Sequence, residues 1–376
     1  MSAAAYLDHN ATSPLRPVAF DAMVEALRAG GNPSSVHGVG RRARALVDKA
    51  RREVAALVGA LPAETIFTSG GTESNNLALS GAGRRRVLAS AIEHDSVRRA
   101  APQAETLPVD GDGVLDLAAL EQALAASAEP ALVSVMLANN ETGVVQPIAD
   151  VVRLARAAGA LVHCDGIQGA GKVPVDLHGL GVDYLSLSAH KLGGPTGVGA
   201  LVIRGGAPLR PNLRGGGQES NRRAGTENVP GIAGFGAAAA QAADGLDVTA
   251  LRDRLELTLV QIAAGAKVFG VKVPRIANTT CISMPSVPAE TQVMAFDLAG
   301  VCISAGAACS SGKVQRSPVL EAMGVPAAEA GCAIRISLGW NSTSADIERL
   351  ITAWQNLYIR VRQSDISHTD PRVRAA

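Results

Sequence analysis

The sequence predicts an α/β protein with a mostly parallel central sheet and flanking helices, followed by a smaller α+β domain. Three observations predict it. Short apolar, β-rich runs alternate with stretches of helical period through most of the 376 residues, and that order builds parallel strands with helices on both faces. The length suits two or three units of roughly 150 residues and a core that needs no covalent staples. After Gly245 the strands become shorter and the alternation stops.

The strands expected in the first part are Thr65–Thr68, Arg86–Ala89, Ala131–Leu137, Ala160–Cys164, Tyr184–Ser188 and Val198–Ile203. Helical patterns lie between them, at Val39–Val58, Leu117–Ala126 and Ile148–Ala158. Gly231 to Ala243 is an Ala- and Gly-rich run too short to span a bilayer, so it is expected as a buried helix. A helix at Val248–Gly265, strands near Cys281, Val301 and Ile334, and a closing helix at Ser344–Val361 make up the smaller part. The expected division is a large domain over 14–247 and a small one over 1–13 and 248–376. From Gln363 to Ala376 the chain is polar, contains one proline and is expected to be loose.

Composition excludes several classes of function. With 35 basic and 34 acidic residues, the chain has no charge bias toward nucleic acid or membrane. Aromatic residues are only 3%, too few for platforms on which bases stack. The first residues lack a basic stretch and a long apolar run, so no signal peptide is expected. Five cysteines without a C-x-x-C pair fit a reducing, cytoplasmic setting; no disulfide framework or metal site is expected.

Chemistry concentrates in a few segments. Ser188-Ala189-His190-Lys191-Leu192-Gly193-Gly194-Pro195 connects two strand-like runs and puts Lys191 at a sheet edge, where its amine can face a cleft. Such an amine can condense with an aldehyde, and Ser188 and His190 can hold an anion. A cofactor with both groups, pyridoxal phosphate, suits that pair of properties. Thr68-Ser69-Gly70-Gly71-Thr72-Glu73 follows a strand and opens a helix, so Gly71 and Thr72 can cup a phosphate. An ordinary βα turn capped by Thr72 explains that segment as well. Asp165 ends an apolar strand at the edge where open α/β sheets bind ligands. There it can pair with a pyridinium nitrogen, and Gln168 can donate to a phenolic oxygen; a helix cap is the plainer alternative.

Two motif matches fail on context. Gly166 to Lys172 fits G-x-x-x-x-G-K, but Val173 has no hydroxyl for magnesium and Pro174 disfavours a continuing helix. Ser188 and Lys191 fit S-x-x-K without its companion motifs. His94 follows another strand, where it can stack on a planar cofactor and move protons, or simply cap a turn. Asn140, in Asn139-Asn140-Glu141-Thr142-Gly143, reaches the same edge, though asparagines also simply make turns. Cys309 sits in the small, glycine-bounded stretch Ser304 to Lys313, expected as a mobile loop from which a thiolate can reach a substrate. Cys164, Cys281, Cys302 and Cys332 lie in apolar strand-like runs and are expected as inert core residues. Arg335, amid strand apolars, can grip a carboxylate with both arms or serve a structural ion pair.

Taken together, the segment Tyr6-Leu7-Asp8-His9-Asn10-Ala11-Thr12, Gly31 to Ser35, the glycine cup, the lysine and cysteine segments, Arg222 to Asn228 and Arg335 resemble the pyridoxal-phosphate-dependent cysteine desulfurases of the nitrogenase-associated and iron–sulfur-cluster type. The resemblance covers nearly the whole chain. It implies the fold type I of transferases that use this cofactor, a large cofactor-binding domain over 14–247, and a homodimer in which Thr226 reaches the partner's phosphate. It implies that Lys191 bonds the cofactor and moves protons, that Asp165 and Gln168 tune its ring, and that His94 stacks on it. Gly71, Thr72, Ser188 and His190 would hold the phosphate, while Asn140 and Arg335 would seat the carboxylate of L-cysteine. Cys309 would take the sulfur as a persulfide, leaving alanine, and pass it to an iron–sulfur scaffold, a tRNA-thiolating enzyme or a molybdenum-cofactor protein. A selenocysteine lyase or another fold-type-I enzyme is the alternative, though an aminotransferase has no use for a mobile thiol. The chain departs from the usual pattern at His9, at Gln218 and over Lys313-Val314-Gln315-Arg316.

Overall fold

The structure is a computed structural model that describes residues 4–306 and 316–369. In chain order the first strands are β1 (Ala5–Tyr6), β2 (Thr65–Thr68), β3 (Arg86–Ser90), β4 (Glu105–Leu107), β5 (Ala131–Met136), β6 (Leu161–Asp165), β7 (Tyr184–Ser188) and β8 (Gly199–Ile203). Seven of these form one sheet in the order β2-β8-β7-β6-β5-β3-β4. β8 runs antiparallel to both neighbours and every other pairing is parallel. β2, β5, β7 and β8 are buried along their whole length. That is why β5 and β8 read as near-continuous apolar runs in place of an in–out alternation; β7 still alternates in sequence, with buried serines between its apolar residues. β4 escapes notice in the sequence because it is short, with Leu107 its one buried residue.

Strand order reverses between β3 and β5, since β4 lies outside β3 while β6 and β7 follow on the other side of β5. Such a reversal opens a crevice at the carboxyl ends of the strands, where ligands bind. The helix Val229–Ala242 is buried as its composition predicts, packed on Pro17–Ala29 and Gly38–Leu57. A Cβ on Gly236 would lie 2.5 Å from the Cα of Ala50, so only glycine lets these two helices approach so closely.

The smaller part contains β9 (Lys267–Val268), β10 (Thr279–Ser283), β11 (Val301–Cys302), β12 (Ser304–Ala305) and β13 (Ala333–Ser337). β12-β13-β10-β9 form an antiparallel sheet, and β1 pairs in parallel with β11. Its own core includes Trp354 stacked on Phe296, with ring centroids 6.3 Å apart. The closing helix runs from Ser344 to Thr369, which corrects the expectation of a loose tail from Gln363. The apolar period ends near Val361, but no glycine or proline interrupts the chain before Pro371, so the helix continues.

One segment joins the two sheets. Leu7 N–H donates to Cys302 O at 2.9 Å and Ser337 N–H to Leu7 O at 2.8 Å, fixing the N-terminus on the small sheet. Ser13 N–H then donates to His190 O and Arg16 N–H to Gly193 O, both at 2.8 Å, tying the same segment to the turn after β7.

His163, in the middle of β6, is fully buried, with Nδ1 2.9 Å from Ser134 Oγ and Nε2 3.0 Å from Ser186 Oγ. Burial lowers its pKa to about 4, and His9 and His190 are likewise lowered to about 4, burial being the main cause. The unfolded chain binds these protons near pH 6.5, so each histidine adds stability that is present above that pH and lost as pH falls toward 4. Burial acts in the opposite sense on Glu93, raised well above the ordinary value, and on Glu141, raised to about 7. Their contributions decline as pH rises through the same window, so the profile of the whole protein is flattened. His163→Asn isolates one term. Denaturant unfolding at pH 7 and pH 5 is expected to show the variant losing about 2 kcal/mol less than the parent across that interval; equal losses would contradict a neutral buried His163.

Candidate functional site

A cavity of about 280 Å³ opens at the carboxyl edge of the large sheet. Gly71, Thr72, His94, Asn140, Asp165, Gln168, Ser188, His190, Lys191 and Arg335 all line it, with Asn10 and Ala11 from the N-terminal segment. The strand ends explain the convergence. Asp165 closes β6, Ser188 closes β7, His94 follows β3, and Arg335 comes from β13 of the small sheet.

Lys191 ends a 3₁₀ turn after β7, and its Nζ donates to Asn10 O at 2.6 Å and Ala11 O at 2.7 Å. His190 Nδ1 lies 3.1 Å from Thr12 Oγ1; burial, aided by the Lys191 charge, keeps the ring neutral at pH 7. Asp165 is buried, accepting from Asn75 Nδ2 at 2.8 Å and from Ile167 N–H at 3.0 Å. Asn75 also donates to Ser96 Oγ at 2.8 Å, and Ser96 faces His94: its N–H donates to Nδ1 at 3.1 Å. Nδ1 is thereby an acceptor, which leaves the ring hydrogen of the neutral imidazole on Nε2.

Gly71 opens an 11-residue helix whose first two residues line the cavity. A Cβ on Gly71 would lie 2.2 Å from Ile167 Cδ1 and 3.5 Å from Ser188 Cβ, so the glycine keeps the helix N-terminus open to an anion. Glu73 accepts from Ser69 N–H at 2.6 Å and is held by Arg223. On the far wall Arg335 is 2% exposed and donates to Asp8 Oδ1 at 2.8 Å and to Asn140 O at 3.2 Å. Its Nε is buried without a hydrogen-bond partner among the described residues. The arginine makes the ion pair that one of its sequence readings expects, and it also lines the cavity.

These features fit pyridoxal phosphate on the donor set itself. An amine, a buried carboxylate and a glycine-cleared helix N-terminus share one cavity, matching an aldehyde, a pyridinium nitrogen and a phosphate. Gln168 differs in detail from its expected part. Its Nε2 donates to Asn10 O at 3.0 Å and its Oε1 accepts from Lys172 Nζ at 2.7 Å.

Thr226 is exposed and does not line this cavity. Cys309 lies outside the described residues. Cys164 and Cys281 are buried and raised in pKa by burial, as inert core thiols should be. Cys302 and Cys332 are partly exposed, and Cys332 precedes β13, so neither is a full core residue; burial still raises both. Sequence reasoning missed Asn10, Asn75 and Lys172. Asn10 stands in a segment that carried the resemblance, and Lys172 in a motif rejected because its phosphate-loop context was wrong.

The aminotransferase class-V model matches residues 5–350. A cysteine desulfurase of Cereibacter sphaeroides is 47% identical over 364 residues, 92% of this chain and 93% of that protein. The solved structure of a NifS-like protein from Rickettsia africae superposes with a TM-score of 0.86 at 36% identity, covering 94% of this chain and 99% of that one. A structure of SspA in complex with cysteine gives 0.78 at 29%, covering 89% and 98%. The fold, the cavity and these likenesses agree, and the chain belongs to the class-V aminotransferase family, as one of its pyridoxal-phosphate-dependent cysteine desulfurases.

Proposed function

We propose that the cavity at the β3/β5 reversal is where this chain binds L-cysteine and its cofactor, and that Cys309 receives the sulfur. The observation that carries the reading is the convergence of Lys191, Asp165, His94, Gly71–Thr72 and Arg335 on one pocket. When bound, the cofactor supplies an electron sink that weakens bonds at the substrate's α- and β-carbons.

The residues take the following parts in this reading. Gly71, Thr72, Ser188 and His190 hold the phosphate. His190 contributes as a neutral donor or acceptor, since burial keeps it uncharged. Asp165 holds the ring nitrogen, its orientation set by Asn75 and by Ile167 N–H. Gln168 meets the phenolic oxygen, and His94 stacks on the ring. Arg335, with Asn140, seats the substrate carboxylate, and its buried unpartnered Nε supports that assignment. Lys191 moves the proton that leaves the α-carbon. The Cys309 thiolate then forms an S–S bond as the substrate's C–S bond breaks. A proton fills the vacated position on carbon, so cysteine and thiol become alanine and persulfide with no outside oxidant.

The finer assignments belong to the same reading. Residues 14–247 act as the cofactor-binding unit, and 1–13 with 248–376 as the unit that bears Cys309. The chain works as a homodimer in which Thr226 serves the partner's site; exposed Phe20, Leu27 and Val36 support a covered apolar face. The persulfide sulfur goes to an acceptor protein in the cytoplasm, such as one that assembles iron–sulfur clusters. Among the described residues no helix is long and apolar enough to cross a membrane.

Two variants test these assignments. Cys309→Ala is expected to retain the visible absorption of bound cofactor and its perturbation by cysteine, while alanine and sulfide production falls by at least about a thousandfold. Normal turnover by this variant would remove Cys309 from the mechanism. Gly71→Val is expected to displace Ile167 and to fill the space beside Ser188 at the helix N-terminus. Its affinity for pyridoxal phosphate, read by fluorescence titration, should drop by about a hundredfold or more, equivalent to ~3 kcal/mol; an unchanged affinity would place the phosphate elsewhere.

A further inference from the structure

Lys172 was set aside in the sequence as the end of a failed phosphate-loop match, yet the fold brings its amine to the edge of the cavity. Its Nζ donates to Gln168 Oε1 at 2.7 Å and to Asn10 Oδ1 at 2.9 Å. Gln168 stands four residues earlier, in a helical turn where Ala170 N–H donates to Gly166 O and Val173 N–H to Gly169 O; that spacing puts the two side chains on one face. An amine on a lysine stem offers hydrogens to both acceptors whether it is charged or neutral, so burial, which lowers its pKa, does not break the arrangement.

We propose that Lys172 is a positioning residue that fixes which end of the Gln168 amide faces the cofactor. An amide has a donor end and an acceptor end of nearly the same shape, and only its hydrogen-bond partners choose between the two orientations. Lys172 captures the oxygen. The nitrogen is then turned to the other side, where it donates to Asn10 O at 3.0 Å. That same carbonyl accepts from Lys191 Nζ at 2.6 Å. The donor end of Gln168 and the amine of Lys191 are thus neighbours on one acceptor. A flipped amide would aim an oxygen at Asn10 O and at any anionic oxygen of the cofactor, an arrangement of acceptor against acceptor. Asn10, gripped by Lys172 through Oδ1 and by Asn278 Nδ2 at 3.1 Å, is kept in register by the same amine.

The inference rests on the reading of Gln168 as a cofactor ligand and adds a residue that acts through it. Its test is spectroscopic. The purified protein loaded with pyridoxal phosphate is titrated with pH, and the midpoint of the visible band is compared for the parent, Lys172→Met, Gln168→Ala and the double variant. Lys172→Met is expected to raise the midpoint by about one pH unit, a tenfold change in the proton equilibrium, because a donor to the cofactor's negative oxygen is lost. In the Gln168→Ala background the same substitution should add little. Equal shifts in both backgrounds would mean that Lys172 acts by charge through space, and an unshifted midpoint would mean that it does not act at all; either overturns the proposal. Lys172→Arg, which keeps donor hydrogens, should restore most of the parent midpoint and serves as the measurement if the Met variant takes up no cofactor; a midpoint shifted as far as that of Gln168→Ala would then count against the proposal. A parent protein without a visible band would overturn the cofactor reading first, and this inference with it.

Discussion

The site depends on one buried side chain, Asn10. It is 1% exposed, and its polar groups all have partners. Its N–H donates to Ser337 Oγ, and its Nδ2 donates to Thr279 Oγ1 and Asn140 O. Its Oδ1 accepts from Lys172 and Asn278, and its carbonyl accepts from Lys191 and Gln168. Three of these partners, Ser337, Thr279 and Asn278, belong to the small sheet and its approach, and the other four line or flank the cavity. Lys191 is therefore seated by a carbonyl from the N-terminal segment, whose own place is set by pairing of β1 with β11. A network so completely satisfied is rigid, and replacing Asn10 by an apolar side chain would leave several of its buried partners unsatisfied, at a cost of about 1–3 kcal/mol for each. Catalytic geometry and the joining of the two sheets are one structural problem here.

Burial decides the charge states around the cavity. It is the largest cause of the raised pKa values of Glu93 and Glu141 and of the lowered values of His190 and Lys172. Glu93 shows the consequence most clearly. It accepts from Met136 N–H at 2.7 Å, and the Asp165 charge adds to the effect of burial. Two carboxylates cannot both ionise cheaply in one dry region. Burial and the nearby Asp165 charge both push Glu93 toward its protonated form, while Asp165 has two donors of its own on the cavity wall. The histidine next in sequence to Glu93 then stands beside a neutral neighbour, and its proton position is set by Ser96 alone among these contacts.

What could be read from the sequence follows the reach of the forces involved. β2 and β7 have the bounds the sequence indicates, β3, β5 and β8 differ by one residue at one end and β6 is shifted by one at both, because short β-rich runs bounded by turn residues announce themselves locally. The cavity was legible for a related reason: parallel strands deliver their last residues to one edge, so motifs that follow strands converge. Asn75 and Lys172 were not legible. Each acts through partners ninety and four residues away, at Asp165 and Gln168, and nothing in either residue's own surroundings marks it as more than a polar helix or turn position. Arg335 was legible as two alternatives; the fold shows the ion pair with Asp8 and places the same side chain on the cavity wall. The helix end at Thr369 was misjudged because an apolar period was taken to mark the helix, whereas a helix lasts as long as nothing breaks it.

The same logic of distant partners governs how the segment that contains Cys309 is attached. Close to its described flanks, Gly306 and Ser317 both lie beside the carboxylate of Glu141. Ser317 Oγ donates to Glu141 Oε2 at 2.5 Å while accepting from Leu320 N–H at 3.0 Å to cap the helix Pro318–Ala322. A Cβ on Gly306 would stand 2.6 Å from that same Oε2, so glycine is what allows the strand end to pass the carboxylate. Glu141 is 4% exposed, is fixed by its own N–H donating to Asn139 Oδ1 at 2.9 Å, and directly follows Asn140 of the cavity wall. Ser317 is therefore bonded to the residue beside the pocket's edge, and Gly306 passes close against it. The buried carboxylate of Glu141 thus lies beside the chain on both sides of the segment that contains Cys309.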